Sequence, residues 1–296
     1  MTGLNGWIIL DKPLGITSAG AVARVKRLMR ESGIRKPKVG HGGTLDPLAT
    51  GVLPIALGEA TKLTGRMLNG DKSYNFTIRF GAQTATDDRE GEIIATSDIR
   101  PERQDVEALL PVFTGTLVQT PPAYSALKVE GERAYKRARA GESVEMASRA
   151  VTIHSLTVSG AGHDQVTLSA RVSKGTYIRA LARDIALKLG TVGHVSMLRR
   201  TACGPFPLET AIALDNLMES ATERGLERMV RPMTAGLDDI PALSVTPDEA
   251  TALKHGQHLV GRPEQDGSYV AMDGETPVAL ISLLAGTSRT DRGFNL

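Results

Sequence analysis

Short apolar runs, glycine-rich breaks and amphipathic stretches alternate along the first two-thirds of the chain. Residues 6–10 (GWIIL) read as a short buried strand. Asp11-Lys12-Pro13 is expected to end it, since proline cannot continue a central strand. Ser18 or Thr17 can cap a helix to about Arg30. Val22, Val25, Leu28 and Met29 share its apolar face, and Arg24, Lys26, Arg27 and Arg30 make much of the rest basic. Residues 31–51 carry Gly33, Gly40, Gly42, Gly43 and Gly51 with Pro37 and Pro47; interleaved apolar residues predict a structured loop. Residues 74–80 (YNFTIRF) alternate as a half-buried strand, and 151–158 and 165–173 do so over shorter spans. Residues 176–189 form the clearest helix: Ile178, Leu181, Ala182, Ile185 and Leu189 line one stripe, and Gly190 stops it.

Strands mixed with helices in no strict alternation argue for an α+β fold over a doubly wound sheet. A boundary is expected near 235–242, where Gly236, Asp238, Asp239 and Pro241 cluster. Beyond it, Thr246-Pro247-Asp248-Glu249 is a capping box with proline at the first helical position, and the helix should end at Gly256. Strand-like pieces at 268–272 and 277–284, separated by Asp273-Gly274, complete a small β-rich appendage. No long-period repeat is present, so a solenoid is excluded.

A chain of 296 residues suits two domains and can bury a sizeable core without staples. The single cysteine, Cys203, excludes a disulfide framework and a Cys-based zinc site. No apolar run approaches the roughly 18 residues that span a bilayer. The first residues, MTGLNGWIILDKP, lack a basic segment and meet Asp11 too early for a signal peptide. A soluble, cytoplasmic protein is expected. The net charge of +2 hides an asymmetry. Residues 201–296 hold 7 Lys+Arg and 14 Asp+Glu, whereas residues 1–200 hold 28 and 19. Within 171–200 there are 7 basic residues against one acidic, Asp184. That distribution suits a polyanion bound by the first 200 residues, although an ordinary solvated surface fits as well.

GxxxxGK[ST], GxGxxG, HExxH and GxSxG are absent, and only His255 and His258 among the six histidines are close neighbours, without carboxylates beside them. Three segments remain. Gly40–Gly51 (GHGGTLDPLATG) gathers His41, glycines that let backbone approach a ligand, and Asp46, which Pro47 keeps out of the helical region. Alone, Asp46 reads first as an Asx-turn aspartate and His41 as a satisfied loop histidine. Ser173–Arg179 (SKGTYIR) places Tyr177 and Arg179 in the first turn of the best helix, where an arginine opposes the helix dipole and calls for an anion. That anion is a phosphate or a carboxylate; a surface arginine paired with Asp184 is the bland alternative. Gln119–Lys128 (QTPPAYSALK) leads into a short helix expected from about Glu132 to Ala140, with Arg133, Lys136 and Arg137 on one face for a phosphate backbone. Alone, that helix reads first as a solvated face.

Together these segments resemble one family, the TruB-type tRNA pseudouridine synthases. The match runs in order through LDKPLGITS (10–18), GHGGTLDPLATG, LPIALGEATK (53–62), DKSY (71–74), QTPPAYSALKVEGERAYKRARAG (119–141), SKGTYIRALARDI (173–185) and GHVSMLRRTACGPF (193–206). One local departure is Gly42, where some members carry a larger residue. The resemblance implies a mixed, largely antiparallel sheet flanked by helices over 1–236, with a basic, thumb-like RNA-gripping insertion at 119–150. It also implies a small PUA-like appendage at 240–296. The implied activity is isomerisation of uridine-55 in the tRNA T loop, without cofactor or metal, by a monomer needing no protein partner.

By the same resemblance, Asp46 matches the catalytic aspartate, Arg179 the arginine that pairs with it, and Tyr74 the tyrosine packed on the target base. His41 matches a histidine that helps hold the T loop with the base flipped out. Tyr177 and Leu198 match residues of the base pocket. Lys12 and Pro13 fall in the first motif. Lys128, Arg133, Lys136 and Arg137 are candidates for the RNA backbone. Burial penalises a carboxylate's charge and a contacting arginine restores it, which accounts for the implied pair. Attack on C1′, attack on C6 and a glycal route all fit the same residues. A tRNA-folding chaperone without turnover, or a guide-dependent synthase acting on another RNA, are the competing readings.

Overall fold

The computed structural model describes residues 4–219 and 223–296. A 10-stranded sheet organises the larger part. Its main path runs Ile212–Ala213, Gly6–Lys12, Ala49–Leu57, Gly193–Cys203, Lys72–Phe80, Gln165–Val172, Arg149–Ala161, Gly115–Gln119. Along that path the pairings are antiparallel except two: Gly6–Lys12 with Ile212–Ala213, and Ala49–Leu57 with Gly193–Cys203. This is the expected mixed, largely antiparallel α+β arrangement.

Two helices cover it. Ser18–Glu31 is capped by Thr17, whose Oγ1 accepts the Gly20 N–H at 2.9 Å, and it buries Ala21, Val25, Leu28 and Met29. That face packs on Ile8, Leu10, Leu53, Ile55 and Leu57. Ile178–Lys188 buries Ile178, Leu181, Ala182 and Ile185 on Phe76, Ile78 and Leu168. Tyr177 is its N-cap rather than part of its first turn.

The first strand outlasts its prediction. It continues through Asp11 and Lys12, because Pro13 lies one residue beyond the last ladder pair, Lys12↔Gly51. Residues 31–51 also hold the short strand Val39–His41, which pairs with Ala49–Leu57. At Gly51 the chain takes φ +101°, and a Cβ there would meet the Arg200 carbonyl oxygen at 2.1 Å. Only glycine permits both the torsion and that approach.

The C-terminal four-stranded sheet runs Ala242–Ser244, Gly267–Asp273, Thr276–Leu284, Thr287–Gly293. Helix Pro247–Lys254 carries the expected capping box between Thr246 and Glu249. Val270 of this sheet and Phe294, just beyond its last strand, join a core with Trp7, Ile9, Val52, Cys203 and Met233. Trp7 Nε1 donates to the Met233 carbonyl at 3.1 Å. Lys62 Nζ donates to the Gly293 carbonyl at 2.8 Å, and the Asn295 N–H to Glu59 Oε2 at 2.9 Å. Among the described residues no helix is long and apolar enough to cross a membrane.

Candidate active site

The site begins with the loop between strands Val39–His41 and Ala49–Leu57, pinned from three sides. Ser18, beside the helix cap, accepts the Leu45 N–H at 2.8 Å and donates to the Leu45 carbonyl at 3.0 Å. Lys12 Nζ donates to the carbonyls of Ile16 (2.8 Å), Pro13 (3.0 Å) and Pro47 (3.4 Å). Arg200, fully buried, donates to the carbonyls of Val52 (2.7 Å) and Gly43 (3.1 Å). Burial pushes the Lys12 ammonium down to about 8, with the Asp46 carboxylate pulling the other way. Leu45 is buried in this frame, and the Asp46 side chain next to it keeps 39% exposure.

Arg179 meets that carboxylate from the first turn of Ile178–Lys188. Its Nε lies 3.0 Å from Asp46 Oδ2, and its Nη1 3.3 Å from Asp88 Oδ2. Nη1 also donates to the Thr86 carbonyl at 2.8 Å, and Nη2 to the Tyr124 carbonyl at 3.0 Å. The anion called for by an arginine at a helix N-terminus is thus a pair of carboxylates. Asp184 instead pairs with Arg183. Asp88 is itself fixed by the Thr86 hydroxyl at 2.5 Å and the Glu90 N–H at 2.9 Å.

Two hollows meet at Asp46 and Arg179. One, of about 320 Å³, is lined by Tyr74, Tyr177, Ile178, Leu198 and Arg200. The other, of about 720 Å³, is lined by His41, Thr44, Asp88, Tyr124, Tyr135 and Arg139. Tyr74 stands on strand Lys72–Phe80 in register with Arg200. Burial raises its hydroxyl pKa against the pull of Arg200, so the phenol stays protonated at neutral pH. Tyr177 is held through its backbone by buried Gln119, which donates to its carbonyl at 3.1 Å and accepts its N–H at 2.8 Å. The Arg149 guanidinium sits 5.0 Å from the Tyr177 ring centroid. His41 is shifted down by burial and by Arg200, hence neutral, and its Nδ1 accepts the Gly43 N–H at 3.4 Å. Asp46, Tyr74, Tyr177, Leu198 and Arg179 therefore line one hollow, and His41 lines the other together with Asp46 and Arg179.

The insertion departs from its prediction. Glu132–Arg133 pairs with Lys128–Val129 as a small two-stranded turn, so the helix is confined to Ala134–Arg139. Arg133 is the N-cap and donates to the Ala126 carbonyl, off the helix face it was expected to share. Arg137 pairs with Glu130 at 2.8 Å and Glu142 at 2.7 Å. Lys128 and Lys136 are exposed. Among the described residues no group of three or more His, Cys, Asp or Glu is placed to hold a metal ion.

Sequence reasoning missed Asp88, Arg200 and Gln119. The adjacent aspartates of ATDDREGE and the double arginine of MLRRTA were the visible signals.

Residues 26–178 match the profile described as TruB family pseudouridylate synthase (N terminal domain), and residues 179–238 that of the tRNA pseudouridylate synthase B C-terminal domain. The chain belongs to the TruB family of pseudouridylate synthases. A TruB-family relative from Zymomonas mobilis, named tRNA pseudouridine synthase B, is 57% identical over 292 residues, covering 99% of this chain and 96% of the relative. One of the same name from Novosphingobium aromaticivorans is 57% identical over 298 residues, covering 99% and 98%. Among solved structures, the fold resembles a chain of a Cbf5-Nop10-Gar1 complex, at 27% identity and a TM-score of 0.70, over 94% of this chain and 78% of that one. The fold alone is shared with a chain of an H/ACA RNP bound to a substrate RNA containing 2'-deoxyuridine, at 24% identity, a TM-score of 0.74, and 98% and 85% coverage.

Proposed function

We propose that this TruB-family enzyme isomerises uridine-55 in the T loop of tRNA to pseudouridine, with Asp46 as the nucleophile. The observation that carries the reading is the Asp46–Arg179 pair at the seam of two hollows, one walled by Tyr74, Tyr177 and Leu198. The tRNA substrate follows from the relatives' name, and the position within tRNA from the motif resemblance.

The reaction breaks the bond from C1′ to uracil N1, turns the base, and joins C1′ to C5, whose hydrogen leaves to solvent as a proton while N1 takes up a proton in its place. Such an exchange needs a nucleophile that forms and releases a covalent bond, which a carboxylate can do unaided. Arg179 sets a positive charge beside the Asp46 carboxylate, 3.0 Å from its Oδ2. Tyr74 offers a flat face to uracil. The base reaches the pocket by flipping, at a few kcal/mol. Shape recognition of the stem-loop by the basic first 200 residues offsets that cost. His41 holds the opened loop from the larger hollow. We assign residues 1–236 to catalysis, 119–150 to gripping RNA, and 240–296 to a PUA-like appendage. The enzyme works as a cytoplasmic monomer without cofactor.

The test is an unmodified T-arm stem-loop tritiated at uridine C5. Tritium release by wild type and none by Asp46→Asn supports the assignment. Tight binding without release overturns catalysis in favour of a chaperone or a guide-dependent enzyme.

A further inference from the structure

Arg183 lies one helical turn beyond Arg179 on Ile178–Lys188 and lines neither hollow at Asp46. Its guanidinium nevertheless makes three bonds. Nη1 donates to Asp87 Oδ2 at 3.0 Å, Nη2 to the Thr120 carbonyl at 3.1 Å, and Nε to Asp184 Oδ1 at 2.9 Å. Asp87 is buried and sits at φ +57°, a torsion that disfavours any residue with a side chain. It stays there because its carbonyl accepts the Val195 N–H at 2.9 Å and its carboxylate meets Arg183.

The two arginines divide one task between them. Arg179 takes the Thr86 carbonyl and Asp88, and Arg183 takes Asp87, so three consecutive residues, of which Thr86 and Asp88 line the larger hollow, hang from one helix. Arg179 takes the Tyr124 carbonyl and Arg183 the Thr120 carbonyl, so the same helix holds both ends of the insertion's root. Pro121 and Pro122 lie between those carbonyls and have fixed φ. An angle set at Thr120 is therefore carried stiffly to Tyr124 and Ser125, which line the larger hollow.

We propose that Arg183 is a positioning residue that sets how the insertion 119–150 docks over the Asp46 cavity, by holding its root at Thr120 against the Asp87 loop. The inference rests on the reading of 119–150 as the RNA-gripping element. A fork of donors is required: one prong satisfies the buried Asp87 carboxylate while the other reaches the insertion. Lysine supplies the charge but not the planar fork.

The test compares full-length wild type, Arg183→Lys and Asp87→Asn in two measurements. The first is steady-state turnover of the tritiated stem-loop. The second is amide hydrogen exchange at Ser125, Ala134 and Tyr135, whose N–H groups bond to the carbonyls of Ala123, Leu127 and Ser125. If a loosened root is docked only about one-tenth of the time, KM rises about tenfold. The expected result in Arg183→Lys is that rise with kcat nearly unchanged, and faster exchange confined to these three amides. A merely structural role gives the opposite split: fewer active molecules lower kcat, leave KM alone and speed exchange at core amides such as Ala21 as well. Unchanged KM, or root exchange equal to wild type in both variants, overturns the proposal. A wild type that binds but does not turn over the RNA overturns the catalytic reading instead, and the exchange comparison then decides the positioning by itself.

Discussion

Arg179 Nε and Asp46 Oδ2 lie 3.0 Å apart without the alignment of a hydrogen bond. The arginine does not depend on that carboxylate for its place, since Thr86, Tyr124 and Asp88 hold its other nitrogens. Asp46→Asn should therefore leave the arginine and the pocket walls where they are. We expect turnover to be abolished and RNA affinity to stay within a few-fold of wild type, checked by tritium release and filter binding. More than trace release would remove Asp46 as the nucleophile.

Arg179→Ala strips a buried charge from between two carboxylates and leaves Asp88, itself buried, without its cation. Breaking a buried pair from one side costs about 3–5 kcal/mol. The unfolding free energy from urea titration should fall by that order, along with activity. A loss confined to activity would show that Asp88 and Arg179 are not paired in solution.

Lys12 gives a pH signature. Its folded pKa is about 8, against 10.5 unperturbed. Below 8 both folded and unfolded chains hold the proton, and the folded state bears the whole cost of a buried ammonium. Between about 8 and 10.5 the folded lysine releases its proton while the unfolded one keeps it, so the cost fades and stability rises with pH. Lys12→Met lacks this contribution. The unfolding free energy of wild type should thus gain on that of Lys12→Met as pH climbs through the window. A difference that stays flat from neutral pH to above 10 means the lysine titrates normally.

Four of the insertion's cations divide into exposed and engaged. Arg137 is already paired twice, and Arg133 holds a carbonyl of its own turn. Lys128 and Lys136 are exposed. Replacing both with alanine should weaken stem-loop binding and flatten the dependence of log affinity on log salt by about one unit for each phosphate no longer neutralised. Arg137→Ala should change the slope less, because its charge is offset by Glu130 and Glu142. Equal slopes in all variants would place the phosphate-binding cations elsewhere.

The sequence disclosed best what local physics decides. The helix at Ser18–Glu31, the strand at Lys72–Phe80 and the capping box at Thr246–Glu249 each carry their own signal of spacing, alternation or cap. Ala49–Leu57 stayed hidden because it is buried almost throughout, so it shows no alternation and merges with the glycine-rich loop before it. Gly193–Cys203 hid for another reason: two register shifts break its period of two. At the site, Asp46 and Arg179 were legible through motifs. Asp88 and Arg200 were not, since each acts through partners about 90 to 160 residues away that only the fold brings near.

The core beneath Trp7 is completed late. Trp7, Ile9 and Val52 come far earlier along the chain than Met233, Val270 and Phe294, which help to seal them. Pairings across more than 200 residues are slow to form, because a long loop must close before the new packing rewards it. During synthesis an indole and two aliphatic side chains on neighbouring strands therefore stay only partly covered until Met233, Val270 and Phe294 have been added. Apolar surface left open over such an interval is aggregation-prone.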